Sequence, residues 1–296
     1  MKSTRTVRLT ASASSASSAS SAGGGRQTNS LSCATRALSH CMKNLPVTLA
    51  LLLAVAISPS NANPPFSGTI FVNKAIITDE DPTSFVRIEN SGKGRRQMFD
   101  RRGPGRIDVE AHLFIAHFDD GRKIEVQVNP EFSADEALAE AKKYLPVIGQ
   151  IPGTLRQDVE TVWIHKGNHG FGGGNRNLLI HTDMGESYIK SGILAETFVH
   201  EAAHTSLDAR HARDKDWLAA QEKDPGFISG YAKSNPKRED VAESFLLWLA
   251  LRHKPDRVDA KLKDTIGKTI PNRMAYFDNL KLDLHPMRPR QEKAAN

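Results

Sequence analysis

The pattern of apolar residues changes from strand-like to helical part-way along the chain. Residues 69–132 contain short runs such as SFVRIEN, EAHLFIAHF and KIEVQV, and the runs TVWIHKG and NLLIHTD follow further on. After Gly192 the spacing becomes helical and predicts helices over 193–207, 216–223 and 238–252, with two more before the C terminus. Strands followed by helices predict one α+β domain.

Two local signals delimit elements in the strand-rich half. The tripeptide at 119–121, Asp-Asp-Gly, stands between two strand-like runs and predicts a hairpin. Ser133 and Glu136 form a capping box, which predicts a helix that begins at Ser133. Because Pro146 removes a backbone donor, we expect that helix to end at Tyr144.

The excess of basic residues belongs to the start of the chain. Residues 1–62 hold six of the 40 Lys and Arg residues, no Asp or Glu, and both cysteines. The rest carries 34 basic and 34 acidic side chains, which gives no argument for nucleic-acid binding by the folded part. Its lack of cysteine excludes a disulfide scaffold and a Cys-ligated metal site there.

Residues 42–62 have the layout of a secretory signal peptide. Their apolar run, 45–57, is too short to span a membrane, and no later segment supplies a span. We expect Met42 to be the initiator and residues 1–41 to be a Ser/Ala leader that follows an upstream misread start. Residues 63–296 are then the exported domain, secreted or periplasmic. An organelle transit peptide followed by a second signal is the alternative.

The segment ILAETFVHEAAHTSLD contains the clearest pattern of candidate metal-binding and catalytic residues. On a helix, His200 and His204 project from one face at neighbouring turns and can bind one metal ion. Glu201 is rotated by about 100° from His200, so its carboxylate can reach a water on that metal without ligating it. Three protein ligands and an open fourth position are typical of catalytic zinc, which lowers the pKa of its water to about 7. The alternative is a surface helix with two incidental histidines.

Two carboxylates on a later predicted helix are candidates to complete the site. Glu239 and Glu243 share one face, and Glu243 lies in an apolar stripe where an unpaired carboxylate is costly. We predict that Glu239 binds the metal and that Glu243 orients a ligand histidine as an acceptor. Asp208 is a local competitor, but three side chains in a row along about 12 Å of one helix do not suit tetrahedral ligation. Both glutamates could instead be ordinary surface carboxylates.

These motifs resemble the gluzincin metallopeptidases, in which a Glu from a later helix joins HExxH. The likeness is greatest to the group of the anthrax lethal factor catalytic domain, where a Tyr precedes an E-x-x-A-E helix, as Tyr231 precedes residues 239–243 here. It covers residues 193–250 and implies a zincin-like α+β fold, bound Zn²⁺, peptide or protein substrates, and an oxyanion-stabilising Tyr231. Leu207 and Arg210 stand where a metzincin has Gly and His.

The sequence therefore predicts a secreted or periplasmic zinc metallopeptidase. His200, His204 and Glu239 would hold one Zn²⁺, and Glu201 would be the general base. An exopeptidase motif, Gly-x-Met-x-Asn, is absent from the sequence, which favours an endopeptidase. The alternatives are a catalytically silent zinc-containing binding module and a toxin-like protease that acts on a host protein. Glu201 favours an enzyme, because a structural site does not require it.

Three further features have weaker functional interpretations. Five arginines surround one predicted hairpin, namely Arg95, Arg96, Arg101, Arg102 and Arg106. They could face an anionic partner, but the balanced charge favours a solvated turn. The stretch HGFGGGN lacks the ending of a phosphate-binding loop and is predicted to be a flexible hairpin tip beside the cleft. We interpret His165, His169 and His181 as structural.

Overall fold

A computed structural model describes residues 63–289 of this chain. The leader predicted at 1–41 and the signal peptide predicted at 42–62 lie outside the described residues. Within residues 63–289 the fold is mixed, with a six-stranded sheet and ten α-helices, which is compatible with the predicted α+β class. None of the helices in this range has the length and apolar content needed to cross a bilayer.

One mixed sheet contains all the strands of the described chain. Its strands are β1 (Phe85–Asp100), β2 (Gly105–Phe118), β3 (Lys123–Val128), β4 (Thr161–His165), β5 (Gly172–Gly174) and β6 (Asn177–His181). Their order across the sheet is β1-β2-β3-β4-β6-β5. The strands β1, β2 and β3 are antiparallel, β3, β4 and β6 run parallel, and β5 returns antiparallel to β6. The predicted hairpin at 119–121 is confirmed, because it connects β2 to β3.

The helices of the described chain follow the predicted positions in most cases. They are α1 (Ala134–Gln150), α2 (Gly153–Arg156), α3 (Thr182–Ser191), α4 (Leu194–Ser206), α5 (Asp208–His211), α6 (Lys215–Lys223), α7 (Gly230–Ser234), α8 (Asp240–His253), α9 (Ala260–Thr269) and α10 (Pro271–Asp278). The predicted helices of the C-terminal half correspond to α4, α6 and α8, and α9 and α10 are the two expected later. The sequence pattern missed α3, which begins directly after β6 and ends at Gly192 in a left-handed conformation with φ 66°.

Helix α1 is longer than its sequence suggests. The predicted capping box is present, since the Ser133 side chain accepts from the Glu136 N–H and the Glu136 carboxylate accepts from the Ser133 N–H. The predicted stop before Pro146 is wrong. Leu145 and Ile148 on either side of the proline are buried in the core, and this apolar burial outweighs the backbone hydrogen bond that proline removes.

Helix α4 lies at the centre of the domain, packed against α8, β5, α2 and α1. Its apolar side chains are fully buried, including Phe198 and Val199. All residues of α8 from Asp240 to Ala250 are buried as well. The segment that carries HExxH is therefore held on several sides, which fixes the directions in which its polar side chains point.

The glycine-rich stretch is a strand that contacts α4, so the predicted loop tip is wrong for residues 172–174. A Cβ built on Gly173 would lie 1.7 Å from the carbonyl oxygen of Glu201, so only glycine lets β5 approach the helix backbone this closely. Asn175 and Arg176 adopt positive φ angles of 50° and 60° and form the two-residue turn into β6.

Candidate metal centre

Three side chains from two helices converge at one end of α4. The Nε2 atoms of His200 and His204 are 3.1 Å apart. Glu239 Oε2 lies 3.4 Å from the first of these nitrogens and 3.0 Å from the second. A tetrahedral zinc ion with bonds of about 2.0–2.1 Å separates its ligand atoms by about 3.3 Å. This largely buried group could therefore hold a metal ion.

Glu239 stands at the N-cap of α8 and is 2% exposed. Its Oε2 atom receives no hydrogen bond of regular geometry from the described residues. Burial opposes ionisation, but the two histidines hold the pKa of this carboxyl well below its usual range. A buried anion is costly unless it is paired, and a cation between the carboxylate and the imidazoles would satisfy it. The donor set of two imidazoles and one carboxylate suits zinc.

A carboxylate lies on the outer side of each imidazole. The Nδ1 atom of His204 lies 2.8 Å from Asp208 Oδ2, and the Nδ1 atom of His200 lies 3.4 Å from Glu243 Oε1. The other oxygen of Glu243 accepts a hydrogen bond from the Thr69 N–H at 2.9 Å. A proton on Nδ1 leaves the Nε2 lone pair free to face the centre. The orienting position of Asp208 is absent from the sequence prediction, although its spacing of four residues from His204 is the signal for it.

The charge around His204 favours a cation at this place. Burial opposes protonation of its ring, but the carboxylates of Asp208 and Glu239 raise the pKa of His204 to about 10. The metal-free protein therefore holds a proton between two carboxylates. Metal binding has to displace that proton, because a ligand nitrogen must be unprotonated.

Glu201 follows directly after His200 and lines a cleft of about 310 Å³. Its carbonyl is fixed by the contact with β5 and accepts a hydrogen bond from Thr205 Oγ1 at 3.2 Å. Within residues 63–289 its carboxylate has no hydrogen bond or ion pair. This acid is therefore free to interact with a group that enters the cleft.

Tyr231, on the short helix α7, lines the same cleft and is 47% exposed. Its ring lies nearly parallel to that of His200, with centroids 6.5 Å apart. Burial and the neighbouring Glu239 raise the pKa of Tyr231 to about 12, so the hydroxyl keeps its proton at neutral pH. Tyr231 is therefore a potential hydrogen-bond donor beside the three ligands.

One wall of the cleft comes from residues 66–71, here called the N-terminal strap. Its first two carbonyl groups accept hydrogen bonds from the N–H groups of Gly230 and Tyr231 at 2.8 and 3.0 Å. Thr69 begins a short 3-10 helix, where the sequence predicts a strand, and its N–H is bound by Glu243. The strap is therefore bound to α7, which contains Tyr231, and to α8, which contains Glu243. No sequence motif predicts this contact.

The arginine-rich hairpin divides into two kinds of side chain. Arg96 and Arg102 form ion pairs with acidic residues of neighbouring segments, at 2.8 Å for the first and at 2.7 and 2.8 Å for the second. These two agree with the predicted solvated, charge-balanced turn. Arg101, between the strands β1 and β2, instead lines the cleft of the metal centre. The sequence offers no feature that separates Arg101 from its neighbours.

Comparison with protein families, with curated proteins and with solved structures found no match for this chain. Functional inference for this protein therefore rests on the geometry of the site. The most informative features are the spacing of the three ligand atoms and the position of Glu201 beside them.

Proposed function

We propose that this protein is a zinc-dependent metallopeptidase of the gluzincin type, with a zincin-like fold. The observation that supports it best is the convergence of His200, His204 and Glu239 to within 3.0–3.4 Å. These three side chains would hold the ion, and they line the same cleft as Glu201, so the protein residues would leave one position of a tetrahedral ion open. An open position is typical of catalytic zinc, whereas structural sites are closed by four protein ligands.

His200, His204 and Glu239 would hold the ion. When bound, zinc would polarise the carbonyl of a peptide bond and lower the pKa of water at its open position. Glu201 accepts a proton from the attacking water and then donates it to the nitrogen of the leaving amine, so its carboxylate is regenerated in each cycle. The Tyr231 hydroxyl donates a hydrogen bond to the carbonyl oxygen as negative charge develops on it.

Two carboxylates support this chemistry without touching the substrate. Asp208 accepts a hydrogen bond on the outer side of the His204 imidazole, and Glu243 lies 3.4 Å from Nδ1 of His200, so both carboxylates would keep Nε2 directed at the centre. The signal-peptide pattern of residues 42–62 supports the further proposal that the enzyme acts outside the cytosol, in a secreted or periplasmic form.

The decisive experiment compares the purified protein with its Glu201→Gln variant. Zinc is quantified by elemental analysis, and cleavage is followed on a library of proteome-derived peptides. We expect equal zinc in both proteins and a loss of turnover of about 100- to 10,000-fold in the variant, since Glu201 transfers protons and does not ligate. Glu222→Gln, a change at an exposed glutamate of α6, is the matched control and should leave turnover unchanged.

Each other outcome contradicts a defined part of the proposal. Zinc without cleavage by the unmodified protein would indicate the silent binding module instead of an enzyme. Near-normal turnover in Glu201→Gln would exclude the proposed proton transfer. Absence of zinc after loading and dialysis would exclude the metal centre itself.

A further inference from the structure

A second cleft, of about 420 Å³, adjoins the cleft of the metal centre. Arg101 and Arg238 line both clefts and therefore stand where the two meet. Arg106 lines the second cleft as well, and no Asp or Glu is among its lining residues. We call this space the arginine cleft. Three guanidinium groups without an acid between them make it a positively charged extension of the candidate active site.

The arginines of this cleft have little charge compensation within the described part of the chain. Arg101 has no ion pair or hydrogen bond to another residue between 63 and 289. Arg106 donates to the neutral Gln97 side chain at 2.7 Å. Arg238 Nε lies 3.3 Å from Glu239 Oε1, and the Arg238 side chain is 73% exposed. Each guanidinium has five N–H donors, so most of these donors remain available to a ligand.

The position of Arg101 relates the arginine cleft to the reaction centre. A Cβ built on Gly172 would lie 2.7 Å from an Nη atom of Arg101, so the guanidinium rests against β5 where glycine leaves space. The next residue, Gly173, is the one that contacts the carbonyl of Glu201. The cationic group and the general base of the proposed reaction thus flank one short strand. A peptide held at the metal centre would place its neighbouring residues beside Arg101.

We infer that the arginine cleft binds a carboxylate of the peptide substrate and that Arg101 and Arg238 determine a preference for acidic substrates. The planar guanidinium fork matches a carboxylate through two parallel hydrogen bonds, which gives both affinity and orientation. The carboxylate could belong to an Asp or Glu side chain or to the C terminus of the peptide, since both present the same group. This inference rests on the proposed peptidase function.

The cleavage experiment uses fluorescent random-sequence peptide pools that carry one fixed Glu, Gln or Lys. Each pool is prepared with a free C-terminal acid and with a C-terminal amide, which separates the two sources of the carboxylate. We expect the zinc-loaded protein to cleave a carboxylate-bearing pool about 10- to 100-fold faster, as kcat/KM, than its neutral counterpart. Arg101→Ala should reduce that ratio toward one, and Arg101→Glu should shift the preference toward the Lys pool.

Arg95→Ala is the matched control, because Arg95 is an exposed arginine of the same hairpin outside both clefts. It changes the net charge equally and should leave the ratio unaltered. A ratio near one in the unmodified protein, or a ratio that survives both Arg101→Ala and Arg238→Ala, would overturn the inference. Because the readout is a ratio between substrates, a general loss of folded protein does not imitate the expected result.

A binding measurement separates this inference from the proposed reaction. Fluorescence anisotropy of the same pools with the zinc-loaded Glu201→Gln variant reports affinity without turnover. If the unmodified protein cleaves no pool, the peptidase proposal fails, and binding still decides the role of the arginine cleft. Tighter binding of the carboxylate-bearing pool that Arg101→Ala abolishes supports the cleft, whereas equal binding of all pools refutes it.

Discussion

The domain contains two groups in which histidines face a carboxylate. The open group consists of His200, His204 and Glu239 and adjoins a cleft. The closed group consists of His165, His181 and Asp100, and both of its histidines are completely buried. In the closed group each histidine approaches Asp100 only to 3.6 Å. Among the described residues, only the open group brings three potential ligand atoms close enough to share a metal ion.

The two groups differ in what already compensates the carboxylate. Arg102 donates to both oxygens of Asp100, at 3.0 Å through Nε and 2.7 Å through Nη2. Burial opposes ionisation of Asp100, yet these bonds lower its pKa to about 2. In the open group Arg238 lies 3.3 Å from Oε1 of Glu239, on the outer side, and no arginine reaches Oε2, which faces the imidazoles. A carboxylate oxygen that faces two imidazoles without an arginine donor, more than the number of histidines, distinguishes the candidate metal centre from the closed group.

The pKa values of the histidines also differ between the two groups. Burial opposes protonation of His204, but Asp208 beside the open group and Glu239 within it raise the pKa of His204 to about 10. In the closed group burial, followed by the charge of His165, lowers the pKa of His181 to about 4. One group attracts positive charge and the other excludes it, within the same fold.

The largest expected effect follows from removal of the carboxylate of each group. The binding free energy of zinc at a site with four ligands is roughly 10–16 kcal/mol, so one ligand contributes about 2.5–4 kcal/mol. Glu239→Ala should therefore weaken zinc binding by about 100- to 1,000-fold. Asp100→Ala should leave zinc stoichiometry unchanged even if it lowers thermal stability. Competition titration against a chromophoric chelator measures both variants, and the opposite order would invalidate the distinction between the groups.

The closed group should make the metal-free protein less stable in mild acid. His181 has a pKa of about 4 in the folded state and about 6.5 when unfolded, so the unfolded chain binds more protons between these values. Its contribution, on the order of 2–3 kcal/mol, is present above pH 6.5 and is lost as the pH falls toward 4. Urea unfolding at stepped pH measures this slope.

His181→Leu should reduce the slope over that window, while His253, whose pKa burial also lowers to about 4, maintains the rest. The control is His169→Leu, which removes an exposed histidine that contacts the same ring. A slope that is unaffected by His181→Leu would show that buried neutral histidine is not its source.

Asp208 supplies a smaller test within the open group. The sequence alone predicts that Asp208→Ala has little effect on zinc affinity, because Asp208 is poorly placed to ligate the ion. The hydrogen bond to His204 revises this expectation to a loss of about 10- to 100-fold in zinc affinity. Asp216→Ala, at an exposed acid of α6, is the control. Equal zinc affinity in all three proteins would remove Asp208 from its orienting position.

The smallest effect is expected at Tyr231, which has no counterpart beside the closed group. Tyr231→Phe should lower kcat about 10-fold with unchanged zinc content, since an oxyanion donor acts mainly in the transition state. Tyr276→Phe removes a hydroxyl that bonds His211 outside the cleft and serves as the control. Steady-state kinetics on one peptide pool compares them, and an unchanged kcat in Tyr231→Phe would exclude the oxyanion contact.

Much of the fold could be predicted from signals that lie within short stretches of the sequence. The capping box at Ser133, the hairpin at 119–121 and the helical spacing of α4 and α8 depend on neighbouring residues, and the structure confirms them. The spacing of His200 and His204 belongs to the same class, because one helix fixes it. Such features can be predicted from the sequence, because the side chains that interact are within one or two helical turns of each other.

Contacts between segments that are far apart in the chain could not be predicted from the sequence. Thr69 and Glu243 are 174 residues apart, and nothing in either segment indicates the other. Arg101 has the same local context as the paired Arg102, and only the position of β5 distinguishes them. The continuation of α1 through Pro146 likewise depends on the core that covers it. These features follow from which surfaces meet in the folded domain.

The N-terminal strap also has a consequence for the order of assembly. It leaves the ribosome before all the strands and α-helices of the described domain, but the carboxylate that binds its Thr69 N–H belongs to α8, 174 residues later. Contacts of such separation form late in folding, because a long loop must close first. Glu239 arrives with the same late helix. The three candidate metal ligands and the cleft wall are therefore completed together, and under the proposed function an unfinished chain would have no competent site with which to cut its neighbours.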